Sequence, residues 1–125
     1  MVKINVDGGC LNNGTPNAKM YWSVATTTEA GTEVHRFDGG HGTNNIAEYQ
    51  AIIYGAKIAS YYMCRNIDCV IQSDSQLAVN QIHGVWKCKD AILKGLKAEA
   101  LEILKELNVT LEWVSRDVSV AVLGH

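Results

Sequence analysis

No stretch of this chain approaches the roughly 18 consecutive apolar residues of a membrane span, so no transmembrane helix is expected. Val2, Ile4 and Val6 alternate with Lys3 and Asn5 from the outset, and the expectation is that no signal or transit peptide precedes the domain. There is no Cys-x-x-Cys pair and no zinc-finger spacing. Cys10, Cys64, Cys69 and Cys88 stand apart, which favours buried or incidental thiols in a reducing compartment and a cytoplasmic location. An excess of positive charge is also lacking. The formal net charge of −2 argues weakly against a general nucleic-acid binder. It does not exclude one, because bound divalent cations offset an acidic cluster and lysines can still be grouped locally. Repeats, low-complexity tracts and inter-domain linkers are absent. What remains is 125 residues, 47% hydrophobic and 19% charged, which fits one compact domain over residues 1–125, expected to be a monomer.

The period-two run Val2–Val6 predicts a strand with one buried face, ended by a turn at Asp7-Gly8-Gly9. Residues 18–28, rich in aromatic and β-branched side chains, predict a second strand. Gly31-Thr32 marks a turn, and residues 33–38 a third strand pairing back as a hairpin. After the loop Gly39-Gly40-His41-Gly42 comes a helix over about 45–62. Ile67, Cys69 and Ile71 predict a fourth strand, which runs into Ser73-Asp74-Ser75 and a short helix over about 76–83. A linker with Gly84 and Trp86 leads to a long helix over about 89–107 and a fifth strand over 109–114. The tail from Ser115 is ambiguous. The order β-β-β-α-β-α-α-β implies an α/β fold, a five-stranded mixed sheet with helices packed on its faces.

Three carboxylates sit where these elements meet. Glu48 opens the first long helix, and its partners three, four and seven positions on are Ala51, Ile52 and Gly55, the small or apolar residues of a packed face. A charge on such a face is costly unless compensated. Asp7 ends the first strand and Asp74 follows the fourth. If those strands run parallel and adjacent, the two aspartates meet at the carboxyl edge of the sheet, where open α/β folds place their sites. Three converging carboxylates need a counter-charge, and hard oxygen donors suit Mg²⁺ or Mn²⁺. Two-metal phosphoryl transfer is the chemistry such a cluster serves. Duller readings compete at each position. Asp7-Gly8 is also turn chemistry; Asn45 with Glu48, and Ser73 with Gln76, fit capping boxes; Asp74 gains from a helix dipole. The convergence of all three favours the metal.

Asp7-Gly8-Gly9-Cys10-Leu11-Asn12-Asn13-Gly14, Thr43-Asn44-Asn45-Ile46-Ala47-Glu48 and Ser73-Asp74-Ser75-Gln76, in that order, resemble the type 1 ribonuclease H family. Trp113-Val114-Ser115-Arg116-Asp117 is similar to that family's last strand and its exit. The resemblance implies a ribonuclease H-like fold and metal-dependent hydrolysis of the RNA strand of RNA–DNA hybrids, leaving 3′-hydroxyl and 5′-phosphate ends. It implies that Asp7, Glu48 and Asp74 are the catalytic, metal-binding carboxylates, with two ions when substrate is bound. Asn13, Asn44, Asn45 and Gln76 match positions that contact sugar hydroxyls and base edges in the minor groove, and Thr43 matches a contact to a DNA-strand phosphate. The 2′-hydroxyl marks the RNA strand, and neutral amides can both donate and accept there without repelling phosphates.

Two departures stand out. The family carries a fourth acidic residue within a pattern like Asn-x-x-Ala-Asp, whereas residues 119–125 here read Ser-Val-Ala-Val-Leu-Gly-His. Either Asp117 substitutes, or His125 contributes a ligand, or the fourth ligand is missing and cleavage is weak or lost, leaving a hybrid-binding module. The basic, tryptophan-bearing protrusion of some members is shortened to Gly84-Val85-Trp86-Lys87-Cys88-Lys89. Lys87, Lys89, Lys94 and Lys97 can still present a phosphate-facing patch, and Trp86 is expected in the core.

Overall fold

A computed structural model describes residues 1–124. Five strands form one mixed sheet. They are β1 (Val2–Leu11), β2 (Lys19–Thr28), β3 (Gly31–Gly40), β4 (Cys69–Ser73) and β5 (Thr110–Trp113), in the spatial order β3-β2-β1-β4-β5. β1, β2 and β3 pair antiparallel, while β1–β4 and β4–β5 are parallel. The helices are α1 (Asn44–Met63), α2 (Gln76–Ile82), α3 (Ala91–Leu107) and α4 (Arg116–Leu123). The expected order is therefore met, with one helix added at the end.

α1 carries the core. Ala47, Tyr49, Ala51, Ile52, Ile53, Ala56 and Ala59 are buried on it, against Ile4 and Val6 of β1, Trp22 and Val24 of β2 and Ile71 of β4. Gly55, on the face that also bears Glu48, lies against Val6, where a Cβ would fall 2.7 Å from the valine Cγ1. α3 packs beside α1 and buries Leu93, Ala100 and Leu104. α4 lies against β1 and β2, with Ser119 and Leu123 buried.

Several local expectations are corrected. The Asp7-Gly8-Gly9 run is no turn; β1 continues through it to Leu11 and stays paired with β2 to Lys19. The glycines are there for closeness, since a Cβ on Gly8 would sit 2.3 Å from the Ala47 backbone of α1. Neither capping box that competed with the metal reading forms. Thr43 caps α1, its hydroxyl accepting from the Ile46 N–H at 3.2 Å. Ser75 caps α2 by accepting from Ala78 N–H at 3.2 Å, while Ser73 accepts from Ser75 N–H. Trp86 is not core but 44% exposed. All four cysteines are free, and only Cys69 is buried. Among the described residues no helix is long and apolar enough to cross a membrane.

Candidate active site

Parallel pairing of β1 with β4 sets Val6 beside Ser73, so Asp7 and Asp74, the next residues of each, emerge together. β4 stops there while β1 runs on, which leaves Asp74 at the open end of the sheet. Its backbone is pinned by Trp113, whose Nε1–H donates to the Asp74 carbonyl at 3.2 Å. α1 brings the third acid. It is set close by Gly8, and Glu48 Oε1 accepts the Gly8 backbone N–H at 2.5 Å. Asp7, Glu48 and Asp74 each offer a carboxylate oxygen, all within 4.8 Å of one another. They line a cavity of about 500 Å³ together with Gly8, Gly9, Tyr21, Asn44, Asn45 and Arg116.

The electrostatics of this cavity are strained. Burial, and then the charge of Asp7, pushes the Glu48 carboxyl up to about 9, although the Gly8 N–H bond acts the other way. Burial and Asp7 also raise Asp74, with Arg116 opposing them. A cluster that holds protons this firmly without a counter-ion is one a divalent cation would neutralise. The donors are hard carboxylate oxygens in a small volume, which fits Mg²⁺ or Mn²⁺.

A family model described as reverse transcriptase-like matches residues 5–122. The chain belongs to this family, an RNase H-like group of domains. It is 31% identical over 118 residues to the bifunctional protein Rv2228c of Mycobacterium tuberculosis, which covers 92% of this chain and 31% of that one. Against the ribonuclease HI of Halobacterium salinarum it is 35% identical over 99 residues, 78% of this chain and 48% of the relative. It therefore spans 31% to 48% of the length of these curated relatives. Among solved structures, LC11-RNase H1 in complex with an RNA/DNA hybrid superposes with a TM-score of 0.83 at 25% identity, covering 98% of this chain and 91% of that one. The RNase H1 of Halobacterium salinarum superposes at 0.78, with 26% identity over 98% of this chain and 94% of that one.

Other expected site residues divide. Asn44 and Asn45 line the cavity, and Asn13 braces the first of them, its Oδ1 accepting the Asn44 N–H at 3.1 Å. Thr43 is occupied as the α1 cap. Gln76 is exposed at the start of α2, two residues past Asp74. Asp117 does not join the acids. Among the described residues the metal-ligating group holds Asp7, Glu48 and Asp74, because the first turn of α4 sends Arg116 to the cavity and leaves Asp117 exposed. His125 lies outside the described residues.

Sequence reasoning passed over Arg116 and Tyr21. Arg116 had one signal, its place just after the last strand; Tyr21 had none, being one aromatic among several in β2.

Proposed function

We propose that this chain is an endonuclease that hydrolyses the RNA strand of RNA–DNA hybrids with Mg²⁺ or Mn²⁺, leaving 3′-hydroxyl and 5′-phosphate ends. The observation that carries the reading is the trio Asp7 of β1, Glu48 of α1 and Asp74 just past β4, three oxygens within 4.8 Å of one another. The hybrid bound by LC11-RNase H1 and the ribonuclease HI among the relatives support the substrate class. Two divalent ions held by these acids would supply activation of water on one side and stabilisation of the leaving oxygen on the other.

The chain's own residues do the rest. Gly8 fixes the direction of Glu48 through its N–H. Arg116 adds a positive charge to the cavity wall, which favours the phosphate of the strand being cut. Asn44 and Asn45, with Asn13 behind them and Gln76 beyond Asp74, are the amides that read the minor groove, where the 2′-hydroxyl distinguishes RNA from DNA. Thr43 takes a DNA-strand phosphate. Lys87, Lys89 and Lys94 are exposed and Lys97 half-buried, so the shortened linker and the start of α3 keep cations to meet the backbone. With so small a grip, binding is weak, and it rests on phosphate contacts that salt weakens.

One observation favours a second reading, a hybrid-binding domain that cuts weakly or not at all. No fourth carboxylate joins the cluster among the described residues, and α4 turns Ser119 and Leu123 inward instead. Cleavage of a labelled hybrid with Mg²⁺ and then Mn²⁺, with Asp7→Asn as control, separates the two. RNA-strand cutting lost in the control supports the enzyme. Hybrid binding without cutting in either metal replaces it with the binding module.

A further inference from the structure

A second depression adjoins the acidic cavity. It encloses about 300 Å³ and is lined by Leu11, Tyr21, Arg36, Phe37 and Asp38. Tyr21 lines both, so the two meet across its ring. The strand register explains why. Asp7 pairs with Ser23, and Ser23 pairs with Arg36, so these three residues stand in a row across β1, β2 and β3 on one side of the sheet. Two inter-strand spacings separate the backbone of Arg36 from that of Asp7, about 10 Å. Ser23 is fully buried, so the connection runs along the next row, Gly9, Tyr21 and Asp38. Gly9 has no side chain, and the Tyr21 phenol fills that space; a Cβ on Gly9 would lie 2.4 Å from its oxygen. A register shift between Met20 and Tyr21 bends the β2–β3 pair at this point, a device that re-aims side chains beside a site.

The lining has nucleotide chemistry. Arg36 is exposed, and among the described residues it forms no ion pair. Leu11 is 60% exposed at the end of β1, an apolar surface beside the Tyr21 ring. A guanidinium for a phosphate and an aromatic with an aliphatic for a base or ribose face make up a single-strand subsite. Asp38 is the dissenting group, because its carboxylate repels a phosphate.

We propose that this depression binds the nucleotide unit of the cleaved strand that leaves the acidic cavity past Tyr21, with its phosphate on Arg36. The proposal rests on the hybrid-cutting reading. It makes a sign prediction that a fold defect cannot imitate, since Arg36 and Asp38 are both exposed on one strand. Arg36→Gln weakens hybrid binding about tenfold and lowers the slope of log affinity against log salt by about one. Asp38→Asn tightens binding instead.

The test is hybrid affinity at several salt concentrations, measured by fluorescence anisotropy in an Asp7→Asn background with Mg²⁺. A series of hybrids carrying one neutral methylphosphonate at a time accompanies it. The expected result is one position on the RNA strand where the neutral linkage and Arg36→Gln are not additive. A parent that binds no hybrid overturns both this proposal and the hybrid-cutting reading. A parent that binds, with Arg36→Gln and Asp38→Asn unchanged or both weaker, overturns the subsite alone. Non-additivity confined to the DNA strand overturns the strand assignment.

Discussion

Glu48 Oε1 accepts the backbone N–H of Gly8 at 2.5 Å, which ties the acid from the helix to the residue next to Asp7. The contact exists because α1 and β1 touch backbone to backbone. A Cβ on Gly8 would lie 2.3 Å from the Ala47 carbonyl and 2.6 Å from the Glu48 nitrogen. Gly8→Ala is therefore expected to destabilise the fold by about 2 kcal/mol, the order of other overpacked sites. The shift also moves Glu48 relative to the two aspartates. Urea unfolding gives the first effect and calorimetric Mg²⁺ titration the second. An alanine variant with unchanged stability and metal affinity would overturn the close-approach account.

The raised Glu48 carboxyl makes stability depend on pH. Its folded value of about 9 lies above its ordinary 4.5, so the folded state holds the proton more tightly. The penalty for ionising it is absent below 4.5, grows between 4.5 and 9, and is complete above that. Metal-free Glu48→Gln is then expected to be more stable than the parent at about pH 8 and to lose that advantage in acid. Saturating Mg²⁺ narrows the gap by binding the folded parent. Urea midpoints across pH, with chelator and with Mg²⁺, check both statements. A gap that does not change with pH would count against the buried acid as its source.

The cap of α1 offers a sharp comparison between two neighbours. Thr43 accepts the Ile46 N–H, while Asn45 lies in the first turn and lines the cavity. Thr43→Ala should cost about 1 kcal/mol of stability, in addition to the phosphate contact it loses. Asn45→Ala should cost little stability and act on hybrid binding. Thermal melts and hybrid affinity, measured on both variants, read the two effects separately. The reverse pattern would restore Asn45 as the cap.

The acids were legible in the sequence because chemistry and topology point the same way. Asp7, Glu48 and Asp74 each stand at a change of hydrophobic period, and parallel neighbours bring strand ends together. Arg116 was not, because one arginine in a tail carries no period of its own. α4 was hidden for a related reason. Val118, Val120 and Val122 alternate like a strand, whereas the helix buries Ser119 and Leu123 and leaves Val118 and Val120 about two-fifths exposed. The end of β1 was misplaced because glycines that permit close packing carry the same local signal as glycines that permit a turn. Trp86 was misplaced because a large aromatic residue fits a core as readily as a surface, and only tertiary placement decides.

A partly buried amide ladder crosses β1, β4 and β5 two residues before the two aspartates. Asn5 and Asp7 share one side of β1; Gln72 and Asp74 share the same side of β4, with Asn5 directly beside Gln72. Asn5 Nδ2–H donates to Gln72 Oε1 at 3.0 Å, and Gln72 Nε2–H donates to Glu112 Oε1 on β5 at 2.6 Å. Asn5 is only 2% exposed, so water cannot easily replace a lost partner. Gln72→Leu is expected to cost about 1–3 kcal/mol, because it strands the Asn5 amide. Asn5→Leu combined with Gln72→Leu removes both polar groups and should recover much of that loss. Glu112→Gln leaves an acceptor in place and should change stability little. If the ladder also sets the spacing of the acids, Gln72→Leu lowers Mg²⁺ affinity as well, and the double variant regains stability without regaining all of the affinity. Urea unfolding combined with Mg²⁺ titration of these three variants and of Asn5→Leu alone separates these effects. Strictly additive losses in the double variant would mean that the two amides act independently, and that backbone pairing alone keeps Asp7 beside Asp74.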